Sequence, residues 1–450
     1  MGRSKLPVDL LVRGGTVVAV DADDTVVRAD VAVADGRIAG IGRDLDVEPE
    51  VVLDATDAAV VPGFVNAHMH ETLDRGVFED LPFVEWLEEY ALPKDMAYEP
   101  RHMRAAAMLN QAEMIAGGTT SFIDIFRHPH EVAAVAERSG LRATISPQIV
   151  DTPAGAGETV ADAVGFVEHW HRRIPGRIRA WFGPHALYSC TPETYRCIRE
   201  LTCVYDVGIH THLAESRAEA GMIAEQSGGL SPVRWLDELV GLGSDVVAAH
   251  CVELSDDDLA LLVERGVGIA HCPTSNAKLG NGIARIPEML AAGAVVGLGT
   301  DSNMTNNDLD MFEEMRLAAL VQKQRTGDPT VLPSGQVLRM ATMGSARVLG
   351  VDHRVGSIEV GKAADLAVVD LRGAHARPIV RHGRTNIVEQ LVWACSARDV
   401  RHTVVDGRVL MQDRQLLTLD VEEIVELADR EIVDLLRSAG VLEKRFGPAT

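Results

Sequence analysis

Between residues 63 and 301 the chain repeats one pattern eight times: an apolar run that stops on polar residues, then a stretch with helical spacing. The runs occupy residues 63–70, 119–125, 142–150, 178–185, 207–213, 246–250, 267–271 and 294–301, and helical spacing is clearest at 101–116, 192–205, 256–265 and 286–292. Strands buried on both faces read as near-continuous apolar runs, so eight strand–helix alternations over about 240 residues predict an α/β chain folded as a (β/α)8, TIM-like barrel. An open doubly wound sheet is the alternative, but no Gly-x-Gly-x-x-Gly turn follows the first run.

The two ends have a different texture. Short strands are expected at 10–12, 16–20, 31–33, 37–41 and 51–54, with Asp35-Gly36 as a hairpin turn, and again at 364–370 and 400–409 around Asp406-Gly407. Neither end is long enough to bury a core alone, which predicts one small β-sandwich domain built from both chain ends. The expected organisation is residues 1–60 and 350–418 as that composite domain, 61–349 as the barrel, and 419–450 as a C-terminal helix and tail. Val421, Ile424, Val425, Ala428, Ile432, Leu435 and Leu436 recur at helical spacing and predict a stripe docked on the body. The small-residue loop 151–160 reads equally as a lid or as an idle connection.

A net charge of −23 excludes nucleic acid as a natural partner, because phosphate binding needs a basic footprint, and it disfavours an anionic membrane surface. No apolar run approaches the ~20 residues of a membrane helix, and Asp9 and Arg13 interrupt the first fifteen residues, unlike a signal peptide. Six cysteines without a Cys-x-x-Cys pair suggest reduced thiols and a cytoplasmic protein.

The first apolar run ends on His68-Met69-His70. Strand side chains alternate faces, so both imidazoles point the same way and can bind one divalent metal. The pair is weak evidence alone, since the chain also carries His128/His130, His169/His171 and His210/His212. The expected strand ends are more telling: they present His68, His70, His185, His212, His250, His271 and Asp301, at the barrel face where such folds place their chemistry. Three histidines and one aspartate would suit Zn²⁺, or Fe²⁺, with a position left for water. Glu215 follows His212 by three residues, near the metal but free to move protons. His210 lies deeper and reads as packed in the barrel, and His271 reads mainly as structural. No lysine occurs in 178–190 to bridge a second ion, so one metal is expected.

With these residues in view, the sequence resembles the amidohydrolase superfamily, and within it the methylthioadenosine/S-adenosylhomocysteine deaminases and the triazine hydrolases. The resemblance spans nearly the whole chain through PGFVNAHMH (62–70), RGVFEDLPFVEWL (75–87), GPHALYSCTPE (183–193), HTHLAES (210–216), AAHCVEL (248–254), the long segment from HCPTSNAKLG (271–280) to GLGTDSNMTNNDLD (297–310), and GSIEVGKAADLAVVDL (356–371). It implies that His68, His70, His212 and Asp301 bind the metal, that Glu215 protonates a ring nitrogen, that His250 orients the hydroxide or polarises the substrate, and that Asp301 takes the water's proton. His185 would hydrogen-bond the heterocycle, with Trp86, Asp95 and Gln148 completing the substrate site.

Two departures bear on the substrate. Asp95 stands where those deaminases carry a glutamate for the ribose hydroxyls, and no lysine or arginine lies between Arg142 and Arg172, where the family carries arginines. The leading expectation is a metal-dependent deaminase that uses metal-bound hydroxide to release ammonia from a purine, adenosine-like nucleoside or pterin. A triazine-type amino- or chlorohydrolase is the alternative, and a cyclic amide hydrolase the second. The resemblance also implies a homodimer or homotetramer with a small heterocycle as its only partner.

Overall fold

All eight expected runs form parallel strands: β1 (Phe64–Met69), β2 (Thr119–Phe126), β3 (Arg142–Ile149), β4 (Ile178–Ala180 continued by Gly183–Pro184), β5 (Ile209–Leu213), β6 (Val246–His250), β7 (Gly268–His271) and β8 (Val295–Leu298). The computed structural model describes residues 5–81, 83–152, 157–174 and 176–448. Every residue of β1, β2 and β3 is buried, as strands covered on both faces require. The helices that follow begin where the sequence supplies caps: Thr191, Ser216, Ser231 and Ser255 each accept a backbone N–H of the first turn, and Pro192 and Pro232 occupy first helical positions.

The strands are arranged as a TIM-barrel-type α/β fold in two parallel sheets, β1–β2–β3–β4 and β5–β6–β7–β8. They meet at two seams. At one, Phe182 N–H donates to the Gly208 carbonyl at 3.0 Å and His210 N–H donates to the Phe182 carbonyl at 2.9 Å. At the other, Asp301 N–H donates to the His68 carbonyl at 3.0 Å. The run 178–185 was expected as one strand, but it divides because the chain changes partner: Trp181 N–H still reaches Ile145 on β3, whereas Phe182 bonds toward β5. Gly299 permits the second seam. A Cβ there would lie 2.8 Å from the backbone N and O of His68, so β8 can come this close to β1 only through a glycine.

The two chain ends join in a nine-stranded sheet. Its junction is the antiparallel pairing of Ala58–Pro62 with Leu366–Asp370, and it owns a separate core that includes Leu10, Val12, Val31, Ile38, Leu53, Leu366 and Val404. The segments 10–12 and 16–20, expected as two strands, are mostly one, Leu6–Val18, with an irregularity between Val12 and Gly15.

Arg142 at the start of β3 fastens this sheet to the barrel. The residue is 3% exposed, and its guanidinium donates to Asp365 Oδ2 at 3.1 Å, to Asp365 Oδ1 at 3.0 Å and to Asp406 Oδ1 at 2.8 Å. Breaking a buried pair leaves an uncompensated charge, so Arg142→Met is expected to cost about 3–5 kcal/mol. Urea unfolding followed by circular dichroism checks this, and an unchanged midpoint would refute it.

The C-terminal helix spans Val421–Ser438. Ile424, Ala428, Leu435 and Leu436 are buried, whereas Val421 and Val425, expected in the docked stripe, are exposed. The helix meets residues 100–116 through polar contacts as well: Arg101 donates to Glu431 at 3.1 Å, and His102 Nε2 lies 3.2 Å from Asp434 Oδ2. Residues 153–156 of the 151–160 loop lie outside the described residues. Its flanks are tied to the body, with Glu158 N–H donating to the Gln148 carbonyl at 2.7 Å and Thr191 N–H to Asp151 Oδ1 at 2.8 Å. Among the described residues no helix is long and apolar enough to cross a membrane.

Candidate metal centre and active site

At the C-terminal ends of the strands, β1, β5, β6 and the turn after β8 point their last side chains at one another. His68, His70 and His212 offer ring nitrogens, all within 4.8 Å of one another, and His68, His250 and Asp301 form a second such trio. Asp301 Oδ1 lies 3.6 Å from His68 Nε2 and 3.4 Å from His70 Nε2, and Asp301 Oδ2 lies 4.0 Å from His250 Nε2. His250 and Asp301 adopt left-handed backbone angles, φ 73° and φ 62°. Such angles are costly for residues with a Cβ and persist where packing over-determines them, often at functional sites.

The protonation of these rings is fixed from behind. His70 Nδ1–H donates to the Ile125 carbonyl at 2.5 Å and His212 Nδ1–H to the His185 carbonyl at 2.7 Å. Since a carbonyl only accepts, both Nδ1 atoms carry the proton and both Nε2 atoms present lone pairs. Those two Nε2 atoms face each other at 3.1 Å, where two lone pairs cannot bond without a cation between them. Burial pushes His70 and His212 below the ordinary histidine value and takes His68 to about 3, so a proton is not the natural occupant. His68 Nε2 is buried and has no hydrogen-bond partner among the described residues. Burial alone would raise the Asp301 carboxyl, but the closeness of His68, with His70 and His250, holds it well below its ordinary value. Neutral imidazoles around an ionised carboxylate are the protonation states that metal ligation demands, so these residues fit a divalent ion.

A cavity of about 550 Å³ opens over this cluster. It is lined by His70, Trp86, Asp95, Gln148, His185, His212, Glu215, His250 and Asp301, which come from separate parts of the chain. His68, the remaining residue singled out from the sequence, is fully buried beside them. Glu215 Oε1 accepts from Asn281 Nδ2 at 2.8 Å. His250 Nδ1–H donates to Asn276 Oδ1 at 2.9 Å, which turns Nε2 toward Asp301. Burial alone would lower His250, but Glu215, Asp301 and the Asn276 bond raise it above its ordinary value. His185 Nδ1 lies 2.9 Å from Ser189 Oγ.

The other histidines separate cleanly. His210, expected as packing, is buried with Nε2 at 2.8 Å from His68 Nδ1, and so orients a ring of the cluster. His271 is buried outside the cavity lining, with both ring nitrogens unpartnered among the described residues. His130 accepts from Trp170 at 2.9 Å, and His169 lies 2.7 Å from the Arg173 guanidinium, so neither pair enters the cluster.

Several residues at the site went unnoticed in the sequence. Glu219 accepts the backbone N–H of Ala214 at 3.0 Å and of Glu215 at 2.7 Å, shaping the turn that carries Glu215. Its signal was a capping pattern, Ser216-Arg217-Ala218-Glu219, whose glutamate would be expected to reach back only as far as Ser216. Ser275 donates to Asp301 Oδ2 at 2.5 Å, and Ser302 N–H to Asp301 Oδ1 at 2.6 Å. Lys94 is wholly buried at the cavity wall, with Nζ 2.6 Å from Asp74 Oδ2 and 2.7 Å from Asp95 Oδ1. Nothing in its local sequence distinguishes it from a surface lysine.

Residues 59–410 match the model of the Amidohydrolase family. The chain belongs to that family. As an amidohydrolase it carries the expectation of a divalent metal, which the donor set above fits. It is 40% identical over 435 residues to a 5-methylthioadenosine/S-adenosylhomocysteine deaminase from Pelotomaculum thermopropionicum, covering 95% of this chain and 99% of the relative. It is 37% identical over 433 residues to a 5'-deoxyadenosine deaminase from Methanosarcina mazei, covering 95% and 98%. Among solved structures, an adenosine deaminase from Xanthomonas campestris with bound zinc superposes with a TM-score of 0.91 at 33% identity, covering 96% of this chain and all of that one.

Proposed function

We propose that this amidohydrolase is a hydrolytic deaminase that removes an amino group as ammonia from an adenosine-like nucleoside. The observation that carries the reading is one cavity over a buried three-histidine, one-aspartate donor set, with Glu215 and His250 in its lining. The deaminase relatives cover 95% of the chain and support the same reaction. His68, His70, His212 and Asp301 would hold one divalent ion, zinc in this reading with iron as the alternative. When bound, such an ion acts as a Lewis acid and lowers the pKa of its water to about 7.

The chain's own residues supply the rest. Asp301, kept ionised by the surrounding imidazoles, is the base placed to take a proton from the attacking water. Glu215, anchored by Asn281 and with its turn set by Glu219, donates a proton to the ring nitrogen beside the carbon under attack. That removes the negative charge which would otherwise build on the ring. His250, with Nδ1 committed to Asn276, keeps Nε2 at the reacting centre to orient the nucleophile. His185 and Gln148 bind the heterocycle, Trp86 covers it, and Asp95 accepts hydrogen bonds from the sugar hydroxyls.

The same reading takes 61–349 as the catalytic barrel, 1–60 with 350–418 as a composite β-sandwich domain, and 419–450 as a helical tail. It places the enzyme in the cytoplasm, on the strength of six unpaired cysteines, and as a homodimer or homotetramer by family resemblance. The test is a screen of ammonia and chloride release over purine bases, nucleosides, pterins and triazines. Ammonia from adenosine-type nucleosides is the expected result. Chloride from a chlorotriazine with no ammonia from any nucleoside would overturn it in favour of a triazine hydrolase.

A further inference from the structure

Resting on the deaminase reading, we propose that the cavity filters for uncharged substrates: nucleosides with a neutral 5′ substituent are turned over, and those carrying a phosphate or a carboxylate there are rejected. Four carboxyl groups line the cavity, from Asp95, Glu215, Glu219 and Asp301, and among the described lining residues Lys94 is the one cationic side chain. A divalent ion on the histidines would offset two of those carboxylates and leave no positive excess.

Lys94 cannot serve an anion. Its ammonium is fully buried and already bridges Asp74 Oδ2 at 2.6 Å and Asp95 Oδ1 at 2.7 Å. Asp74 is itself fully buried, so drawing the lysine away would strand a carboxylate without its counter-ion in a low-dielectric wall. Of the cations next to the lining, Arg127 gives one guanidinium N–H to the Asp95 carbonyl at 2.6 Å, Lys278 donates to Glu79 Oε1 and to the Met304 carbonyl, each at 2.9 Å, and the exposed Arg217 pairs with Glu253 at 3.3 Å.

The rest of the described wall carries no further formal charge: Trp86, Leu92, Val150, Met222, Leu279 and Met304 are apolar, and they are interspersed with neutral hydroxyl and amide groups. Such a wall accommodates hydrogen, hydroxyl or a methylthio group, but it cannot compensate a desolvated anion. The ion pair also gives Lys94 a role. By consuming one oxygen of Asp95 it leaves the other, on a side chain 21% exposed, as an acceptor for neutral hydroxyl donors.

The test measures kcat/KM for ammonia release by the metal-loaded wild-type enzyme on 5′-deoxyadenosine, 5′-methylthioadenosine, adenosine, S-adenosylhomocysteine and adenosine 5′-monophosphate. The neutral nucleosides are expected to exceed the monophosphate at least hundredfold and S-adenosylhomocysteine at least tenfold. A monophosphate or S-adenosylhomocysteine value within threefold of the best neutral nucleoside would overturn the filter. Ammonia from none of the five would instead overturn the deaminase reading beneath it. Asp74→Asn loosens the hold on Lys94 and is expected to raise the monophosphate-to-adenosine ratio about tenfold. An unchanged ratio in the folded variant would refute the role of Lys94, while the wild-type panel decides the filter whether or not the variant folds.

Discussion

Glu215→Gln is expected to lower kcat about a thousandfold, within the range attributed to a positioned general acid, while leaving bound metal and fold intact. The substitution keeps the shape and the acceptor that receives Asn281 Nδ2 at 2.8 Å, and removes the transferable proton. The backbone N–H of Glu215 still donates to Glu219, so the turn has no reason to move. The loss should fall on kcat with KM little changed, because the proton is needed at the transition state and not for binding. Initial rates of ammonia release, paired with metal analysis of the same sample, check both halves. Undiminished turnover refutes the role of Glu215, and lost metal would show that the residue supports the centre instead.

Chelation of the metal is expected to abolish more than about 99% of turnover, with full recovery on adding one equivalent of zinc per chain. The physical basis is the pair of Nε2 atoms of His70 and His212 facing at 3.1 Å, both deprotonated because their Nδ1 atoms donate to carbonyls. Removing the ion leaves two lone pairs opposed beside the ionised Asp301, so stability should fall too. A ligand present at a thousand times its Kd stabilises a fold by about 4 kcal/mol, and stripping it forfeits that amount. Elemental analysis should give about one metal per chain before chelation and none after. Two per chain would refute the mononuclear reading, and turnover that survives full stripping would refute a metal-dependent reaction.

Much of this architecture is legible in the chain because period and burial leave a direct imprint. The eight buried strands are apolar runs, their helices begin at Ser, Thr and Pro caps, and the strand-end histidines follow from where those runs stop. What resisted reading depends on pairing across long separations. The interruption of β4 arises because Phe182 bonds to Gly208 after Trp181 has bonded to Ile145, a change of partner that no local pattern encodes. Val421 and Val425 fit a docked stripe by period alone, yet they lie on a face that the body does not reach.

The site divides the same way. Amino-acid order alone determined the type of chemistry, since His68, His70, His212, Glu215, His250 and Asp301 sit at strand ends in recognisable motifs. Only the tertiary structure decided which histidines converge, that His210 orients His68 while His271 stays outside the cavity, and that Lys94 is a buried counter-ion. The reason is physical: a strand end fixes where a side chain starts, but burial and the neighbour across 20 or 200 residues fix its proton, its charge and its availability. Asp74 lies 20 positions before Lys94, yet in the fold it takes the one cation that the described cavity wall could have offered to a substrate.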